Sequence, residues 1–330
     1  MKGSLSVVRF PLSAALRRVL LVGSLTTING QLTTAFSQQI SQYTQYVFNH
    51  YSVQPAVAGS KDCFDGRLGF RRQWGGIQGM PVTAWATLHG AIRSKKPFVK
   101  NKHGFGVNIE ADDTGPIGYT HFYLGYAYHM QMGKDYMLSM GLFAGIKQFK
   151  LDLGEVTLDN PNDPAITGDQ SVIVWPEIAP GIWAYGNNFW LGASMFGTLN
   201  NRIKSVGLDS RYTRHYLLSA GYRYRIGKKT AFIPSTLWKI SPGSPLAMDI
   251  NVQMEWVRKV AVGISYRNAD AIAFMGRVNF FKFFSLGYSY DLTTSLLRQG
   301  SSNTHEIILG ITPCPPGAGR RSPVACPVWE

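Results

Sequence analysis

The chain of 330 residues is 13% aromatic but only 16% charged, against about a quarter charged in soluble domains, so many of its side chains are not built for bulk water. Mean hydropathy is close to zero and the only long uncharged apolar run lies near the N-terminus, which argues against a helical membrane protein. The formal charge of +14 is carried by scattered rather than blocked Lys and Arg, which argues against a nucleic-acid partner.

In chain order, Lys2, Arg9, Arg17 and Arg18 lead into VLLVGSL, and Ala35 and Ser37 bracket Phe36 in the pattern that a leader peptidase cuts. A secretory signal over 1–37 is expected, with the mature chain starting near Gln38. Removing its four basic residues lowers the formal charge from +14 to +10. Residues 38–62 mix Tyr43, Tyr46, Phe48 and Tyr51 with polar residues ahead of Pro55 and Gly59. This segment reads either as a short plug inside the structure that follows or as a periplasmic lead-in.

From residue 65 onward the dominant signal is strict period two, the mark of strands with one apolar face. In GFGVNIEADD, Phe105, Val107, Ile109 and Ala111 alternate with Gly106, Asn108, Glu110 and Asp112; LAMDINVQMEW repeats the split from Leu246 to Trp256. The pattern predicts fourteen strands: 65–75, 80–93, 103–112, 117–131, 134–150, 174–186, 188–200, 212–226, 229–239, 246–257, 259–267, 270–281, 282–293 and 304–312. An even number of ten-residue alternating segments predicts an all-β fold, an antiparallel transmembrane β-barrel of the bacterial outer membrane over 63–313, followed by a Pro- and Cys-containing tail over 314–330.

A soluble sandwich alternates too, but the connections separate the two. With the N-terminus in the periplasm, the inner turns QMGK, YGNN, GKK and VRK are short, while the outer connections 151–173, 201–211 and 294–303 are the longest, as in membrane barrels. Trp74, Tyr119, Tyr136, Trp190 and Trp256, near strand ends, are expected in the interfacial girdles. The acidic loop from Asp152 to Asp169 lacks the ordered spacing of a calcium loop.

Strand parity points Arg67, Arg71, Lys147, Arg223, Arg225, Arg267 and Arg277 into the lumen, facing Glu110, Asp112, Glu177, Asp249, Glu255, Asp291 and Glu306. Such a balanced set is expected to pair rather than to filter ions of one sign. His121 and His129 read as polar lumen fillers. Closure requires the first strand to pair with the last, because lipid offers no partner for an open edge. Cys63 then sits just before the first strand and Cys314 just after the last. A Cys63–Cys314 disulfide across the seam is one expectation; Cys314 with Cys326 in the tail, or free thiols, are the others.

The stretch GYSYDLTTSLLRQGSSNTHEIILG, residues 287–310, contains Asp291, His305 and Glu306, which invite a hydrolase reading. Neither Ser301 nor Ser302 lies on a nucleophile elbow, so a buried His–carboxylate contact that fixes the loop and register is expected instead.

QYVFNHYSVQPAVAGS (45–60), RRQWGGIQGMPVTAWATLHG (71–90) and GYSYDLTTSLLRQGSSNTHEI (287–307) together resemble the PorP/SprF family of type IX secretion system outer-membrane proteins. The resemblance spans essentially the whole mature chain. It departs at Val53-Gln54-Pro55-Ala56, where the family reads Ile-Asn-Pro-Ala, and in the cysteine-bearing tail. It implies a non-catalytic accessory role, without cofactor, in protein export across the outer membrane of Bacteroidota, in secretion and sometimes gliding motility. The implied partners are periplasmic ring lipoproteins of the machine or C-terminal sorting domains of surface adhesins. A passive small-solute channel and an outer-membrane lipid-modifying enzyme remain the alternatives. The residues expected to matter, architecturally at the seam or as partner contacts, are Arg71, Arg72, Gln73, Trp74, Asp291, His305 and Glu306.

Overall fold

A computed structural model describes residues 40–61, 63–93, 101–152, 154, 170–203, 211–281 and 283–313. The expected signal over 1–37, the tail over 314–330, and with it Cys314 and Cys326, lie outside the described residues.

Fifteen strand segments form one antiparallel sheet: β1 Asp65–Arg72, β2 Val82–Arg93, β3 Lys102–Thr114, β4 Ile117–Gln131, β5 Tyr136–Asp152, β6 Gln170–Gly186, β7 Phe189–Phe196, β8 His215–Tyr222, β9 Tyr224–Ile226, β10 Thr230–Ile240, β11 Ala247–Trp256, β12 Val260–Arg267, β13 Ala271–Phe280, β14 Phe284–Thr293 and β15 Thr304–Ile311. β8 and β9 both pair with β10 and are one wall strand broken at Arg223, whose N–H instead donates to the Asn188 carbonyl at 2.6 Å. The wall therefore has fourteen strands. It closes where β1 pairs with β15, Arg71 opposite Glu306 and Arg72 opposite His305, so no edge is left to lipid.

The expected strands are all present, and the differences lie at their ends. β1 stops at Arg72 because Trp74 takes a left-handed backbone, and β7 stops at Phe196 because Gly197 does the same. β6 starts earlier than its alternation suggested and outruns β7, which pairs with it only over Gly181–Tyr185. Pro176 and Pro180 fall on the stretch without a β7 partner, where a missing N–H costs no ladder bond.

One face of each strand is apolar and exposed, as a lipid-facing wall requires. On β11, Ile250, Val252, Met254 and Trp256 point outward while Asp249, Asn251, Gln253 and Glu255 are buried on the inside. Of the expected girdle aromatics, Tyr136 and Trp256 are exposed, but Trp190 is buried in the lumen and Tyr119 packs inward against Phe149 and Tyr212. Parity decides the face, whatever the side chain.

The lumen is filled by residues 40–60, which run as three short 3-10 turns, Tyr46–Phe48, His50–Ser52 and Pro55–Val57. Tyr46, Val47, Phe48, Tyr51, Val53 and Ala56 are buried against Trp85, Tyr123, Phe143, Trp183, Trp190 and Leu237 of the wall. His50 sits between Trp183 and Trp190, with ring centroids 5.3 and 5.7 Å away.

Candidate functional site

The charged inner face gathers around one residue of the lumen segment, Thr44, at the seam. Arg71 of β1 reaches Asp291 of β14 at 3.0 Å and Glu306 of β15 at 2.9 Å, all three buried. The Thr44 hydroxyl accepts from Arg71 at 2.6 Å and donates to Asp291 at 2.6 Å. The backbone N–H groups of Thr44 and Gln45 donate to the two Glu306 carboxylate oxygens at 2.8 and 2.9 Å. Arg267 of β12 extends the cluster, bonding Thr44 at 3.1 Å, Asp249 of β11 at 2.8 Å, Asp270 at 3.1 Å and Asp291 at 3.4 Å. Five wall strands are thus tied to one another and to the segment. Each buried charge of this cluster has a partner of opposite sign, the condition under which burial is tolerable.

The rest of the segment is held by wall side chains that answer its backbone. Gln54 donates to the Ile182 and Ala193 carbonyls at 3.0 and 2.9 Å; Ser194 and Ser139 donate to the Val53 and Ala56 carbonyls, both at 2.7 Å. Lys102 donates to the Ser60 carbonyl at 2.6 Å, and the His129 ring bonds the Ala58 carbonyl at 2.7 Å. Irregular backbone without a ladder needs such partners one by one.

Close approach also needs glycine. A side chain at Gly104 would run into the Ala58 carbonyl, and one at Gly141 into the backbone of Ala56. Gly104→Val, well suited to a strand, is therefore expected to leave the wall folded and to displace the segment. Trypsin should then cut after Lys61 in the variant and not in the parent, Lys61 being held on Asp65 at 3.1 Å. Equal protection of both proteins would contradict this packing.

The expected site residues divide by face. Arg71, Asp291 and Glu306 converge in the lumen, and Gln73 is buried just above them, its N–H on the Pro81 carbonyl at 2.9 Å. Arg72 lies on the exposed outer face and contacts Met80 sulfur at 3.1 Å. Trp74 sits in the hairpin loop, its N–H donating to the Thr304 hydroxyl at 3.0 Å. The buried His–carboxylate contact expected of His305 is not formed. His305 is exposed on the outer face and bonds Tyr288 at 2.8 Å, because neighbours on a strand cannot both face inward and Glu306 does. Asp291 and His305 therefore do not converge on a common substrate.

Of the expected lumen charges, Arg223 and Arg277 both bond Glu255, at 2.5 and 3.2 Å, whereas Arg225 is exposed at the short-turn rim. Sequence reasoning missed Asp65, which is buried and bonds Arg67 at 2.9 Å, and Lys102. It also missed a second aromatic cluster toward the long-loop end, of Phe149, Trp175, Ile203 and Tyr212, where buried Lys147 bonds the Tyr212 hydroxyl at 2.6 Å. The available signal was parity: Trp175, Trp183 and Tyr185 all fall on the inner face of β6.

Cys63 is disulfide-bonded. We propose Cys314 as its partner, because the Thr312 hydroxyl donates to Asp65 at 2.9 Å and so holds the chain beside Cys63 two residues before Cys314. Peptide mapping under non-reducing conditions should recover Cys63 linked to Cys314; linkage to Cys326 would overturn the assignment.

The family model described as type IX secretion system membrane protein PorP/SprF matches residues 35–311. Among solved structures, a Pseudomonas aeruginosa FadL homologue is 10% identical, with a TM-score of 0.47 over 83% of this chain and 94% of its own. The Ralstonia pickettii toluene transporter TbuX is 9% identical, with a TM-score of 0.46 over 79% of this chain and 92% of its own. A mutant Rh. blastica porin is 9% identical, with a TM-score of 0.34 over 76% of this chain and 98% of its own. No curated protein matches the chain.

Proposed function

The chain belongs to the PorP/SprF family of type IX secretion system membrane proteins, and from that premise we propose that it is a non-catalytic docking barrel of the outer membrane. It supports protein export, and the surface anchoring of exported proteins, by binding either their C-terminal sorting domains or the periplasmic ring lipoproteins of the machine. An N-terminal secretory signal delivers it to the membrane.

One observation carries the preference for docking over conduction: the lumen is occupied by residues 40–60, tied by Thr44 and Gln45 to Glu306 and by Gln54 to the opposite wall. A passive channel needs a continuous water-filled lumen, whereas a docking barrel needs a rigid wall that presents loops and turns. The absence of convergence between Asp291 and His305 supports the non-catalytic reading over a lipid-modifying enzyme.

The test is removal of the chain from a cell that uses the type IX system, with quantification of exported proteins in the medium and on the surface. Loss of export with normal uptake of small solutes is expected. Normal export with impaired uptake would overturn the docking reading in favour of the channel.

A further inference from the structure

The wall is closed at membrane depth, yet it does not end level on the long-loop side. β6 has 17 residues and β7 only 8, and their pairing stops at Gly181 and Ser194. On its other side β6 pairs with β5 without a break up to Gln170 opposite Asp152. A strand tilted by about 40° climbs about 2.5 Å per residue, so an apolar band of about 25 Å is crossed in about ten residues. Counted from Gly186 at the short-turn end, that crossing ends near Pro176. Residues 170–175 therefore stand beyond the band, with β5 on one side and no described strand on the other.

The backbone direction of β6 follows from Gln54, whose amide bonds the Ile182 and Ala193 carbonyls together at 3.0 and 2.9 Å. Ile182 therefore faces β7, and because alternate residues of an unbroken strand face alike, so do Pro180, Pro176, Val174, Val172 and Gln170. Within the band this edge is protected. Pro176 and Pro180 carry no N–H, and the Asn201 side chain donates to the Pro176 carbonyl at 3.1 Å. Beyond Pro176 the protection stops. QSVIVW, residues 170–175, contains no Pro, no Gly and no charge, and Val172, Ile173 and Val174 are β-branched. Val172 and Val174 are each 53% exposed, and no described residue bonds their N–H or C=O on the open side.

Proteins ordinarily blunt an open edge with Pro, Lys or a bulge, because a bare, uncharged one pairs with any extended chain. Here the edge is blunted where lipid surrounds it and left bare outside. It is also held rigid. Trp175 is buried with Phe149, Ile203 and Tyr212 on the inner face, and Ile173 packs against them. A template fixed in advance lowers the ordering cost of binding.

We propose that the β6 edge over residues 170–174 is a strand-addition site, which takes an extended, uncharged segment of an exported protein as its next strand. The proposal rests on the docking function above and names how one partner is held. The edge lies on the long-loop side, which faces out of the cell, where exported proteins arrive. A second copy of this chain is the poorer fit. Two barrels inserted the same way round run their β6 strands in the same sense, so their edges meet in the less stable parallel pairing. A separate segment enters antiparallel, where Gln170, Val172 and Val174 each offer one N–H and one C=O.

The experiment uses the full chain in detergent and a fluorescein-labelled peptide, Lys-Thr-Val-Thr-Val-Thr-Val-Lys, read by anisotropy. A Gly-Ser peptide of equal length with the same terminal lysines is the control. The parent is expected to bind the first and not the second. Val172→Pro with Val174→Pro withdraws two edge donors without touching the β5 ladder. This variant should unfold close to the parent's temperature and bind about tenfold more weakly. Val172→Lys with Val174→Lys keeps the backbone and sets charges on the edge; it should bind more weakly too, and it decides the matter if the prolines disturb the strand. Equal affinity of the parent and either folded variant would overturn the proposal. In hydrogen exchange of the protein alone, the Val172 and Val174 amides should exchange much faster than that of Ile173, which faces β5. Slow exchange at all three would show the edge already covered by this chain and would overturn the proposal. So would Val174→Cys barrels that link to one another in the membrane, which would make the edge an interface between copies. Failure here is separable from failure of the docking function. A proline variant that exports and anchors normally, where loss of the chain abolishes export, removes this site alone; normal export without the chain removes the function itself.

Discussion

Replacing Arg71 with Met is expected to destabilise the barrel by about 3–5 kcal/mol, the range for stripping the partner from buried charges. Arg71 is the residue on which Asp291 and Glu306 both close, at 3.0 and 2.9 Å. Without it, Asp291 retains Arg267 at 3.4 Å, whereas Glu306 keeps the N–H groups of Thr44 and Gln45 but loses its cation. Urea unfolding in micelles should show a lower midpoint with an unchanged slope. The triple variant Arg71→Met, Asp291→Asn, Glu306→Gln should recover part of the loss, because the buried groups are then neutral, while the amide nitrogen that Glu306→Gln introduces cannot accept one of the two N–H groups of Thr44 and Gln45. A loss below about 1 kcal/mol for the single variant would place the stability of the seam in its ladder and apolar faces and not in these charges.

Deleting residues 40–60 is expected to convert a closed barrel into a conducting one. Eight-stranded barrels are filled by their own side chains, whereas sixteen-stranded walls leave an aqueous channel. A fourteen-stranded wall lies between and needs filler, which here is the segment packed on Trp183, Trp190 and Phe143. Liposomes carrying the intact protein should swell in small sugars no faster than protein-free liposomes, and those carrying the deletion variant should swell rapidly. Equal swelling of the two proteins would contradict the view that this segment closes the lumen. The deletion also wets an apolar inner surface and takes the Thr44 and Gln45 donors from Glu306, so the variant should unfold at a lower temperature than the parent.

The wall is legible in the sequence because lipid outside and a polar network inside force strict alternation on every strand, and consecutive segments joined by a connection pair as hairpins around the sheet. The convergence of Arg71, Asp291 and Glu306 follows from the same alternation once β1 and β15 have to pair. Two features are less legible for physical reasons. His305 adjoins Glu306, so assigning the glutamate to the lumen already sends the histidine outward, and a chemical preference for a His–carboxylate contact cannot override a period of two. Residue type alone sends Trp190 to the girdle, yet its parity turns it inward, where it packs near His50. The sequence leaves the placement of residues 40–60 open because three short 3-10 turns have no sustained period, so nothing in their own pattern names a buried face. The missing cue lies in the wall: Trp183, Tyr185 and Trp190 at inward positions need apolar cover that a purely polar lumen would not provide.

The central claim is that this barrel works by holding proteins of the export machine or its cargo, with its lumen closed. It is tested most directly by recovering the tagged protein from gently solubilised outer membrane and identifying what accompanies it by mass spectrometry. Co-recovery of periplasmic ring lipoproteins or of large exported proteins, the latter lost when their C-terminal domains are removed, is the predicted result. Recovery of the barrel alone, from membranes in which the export machine itself remains assembled, would contradict it.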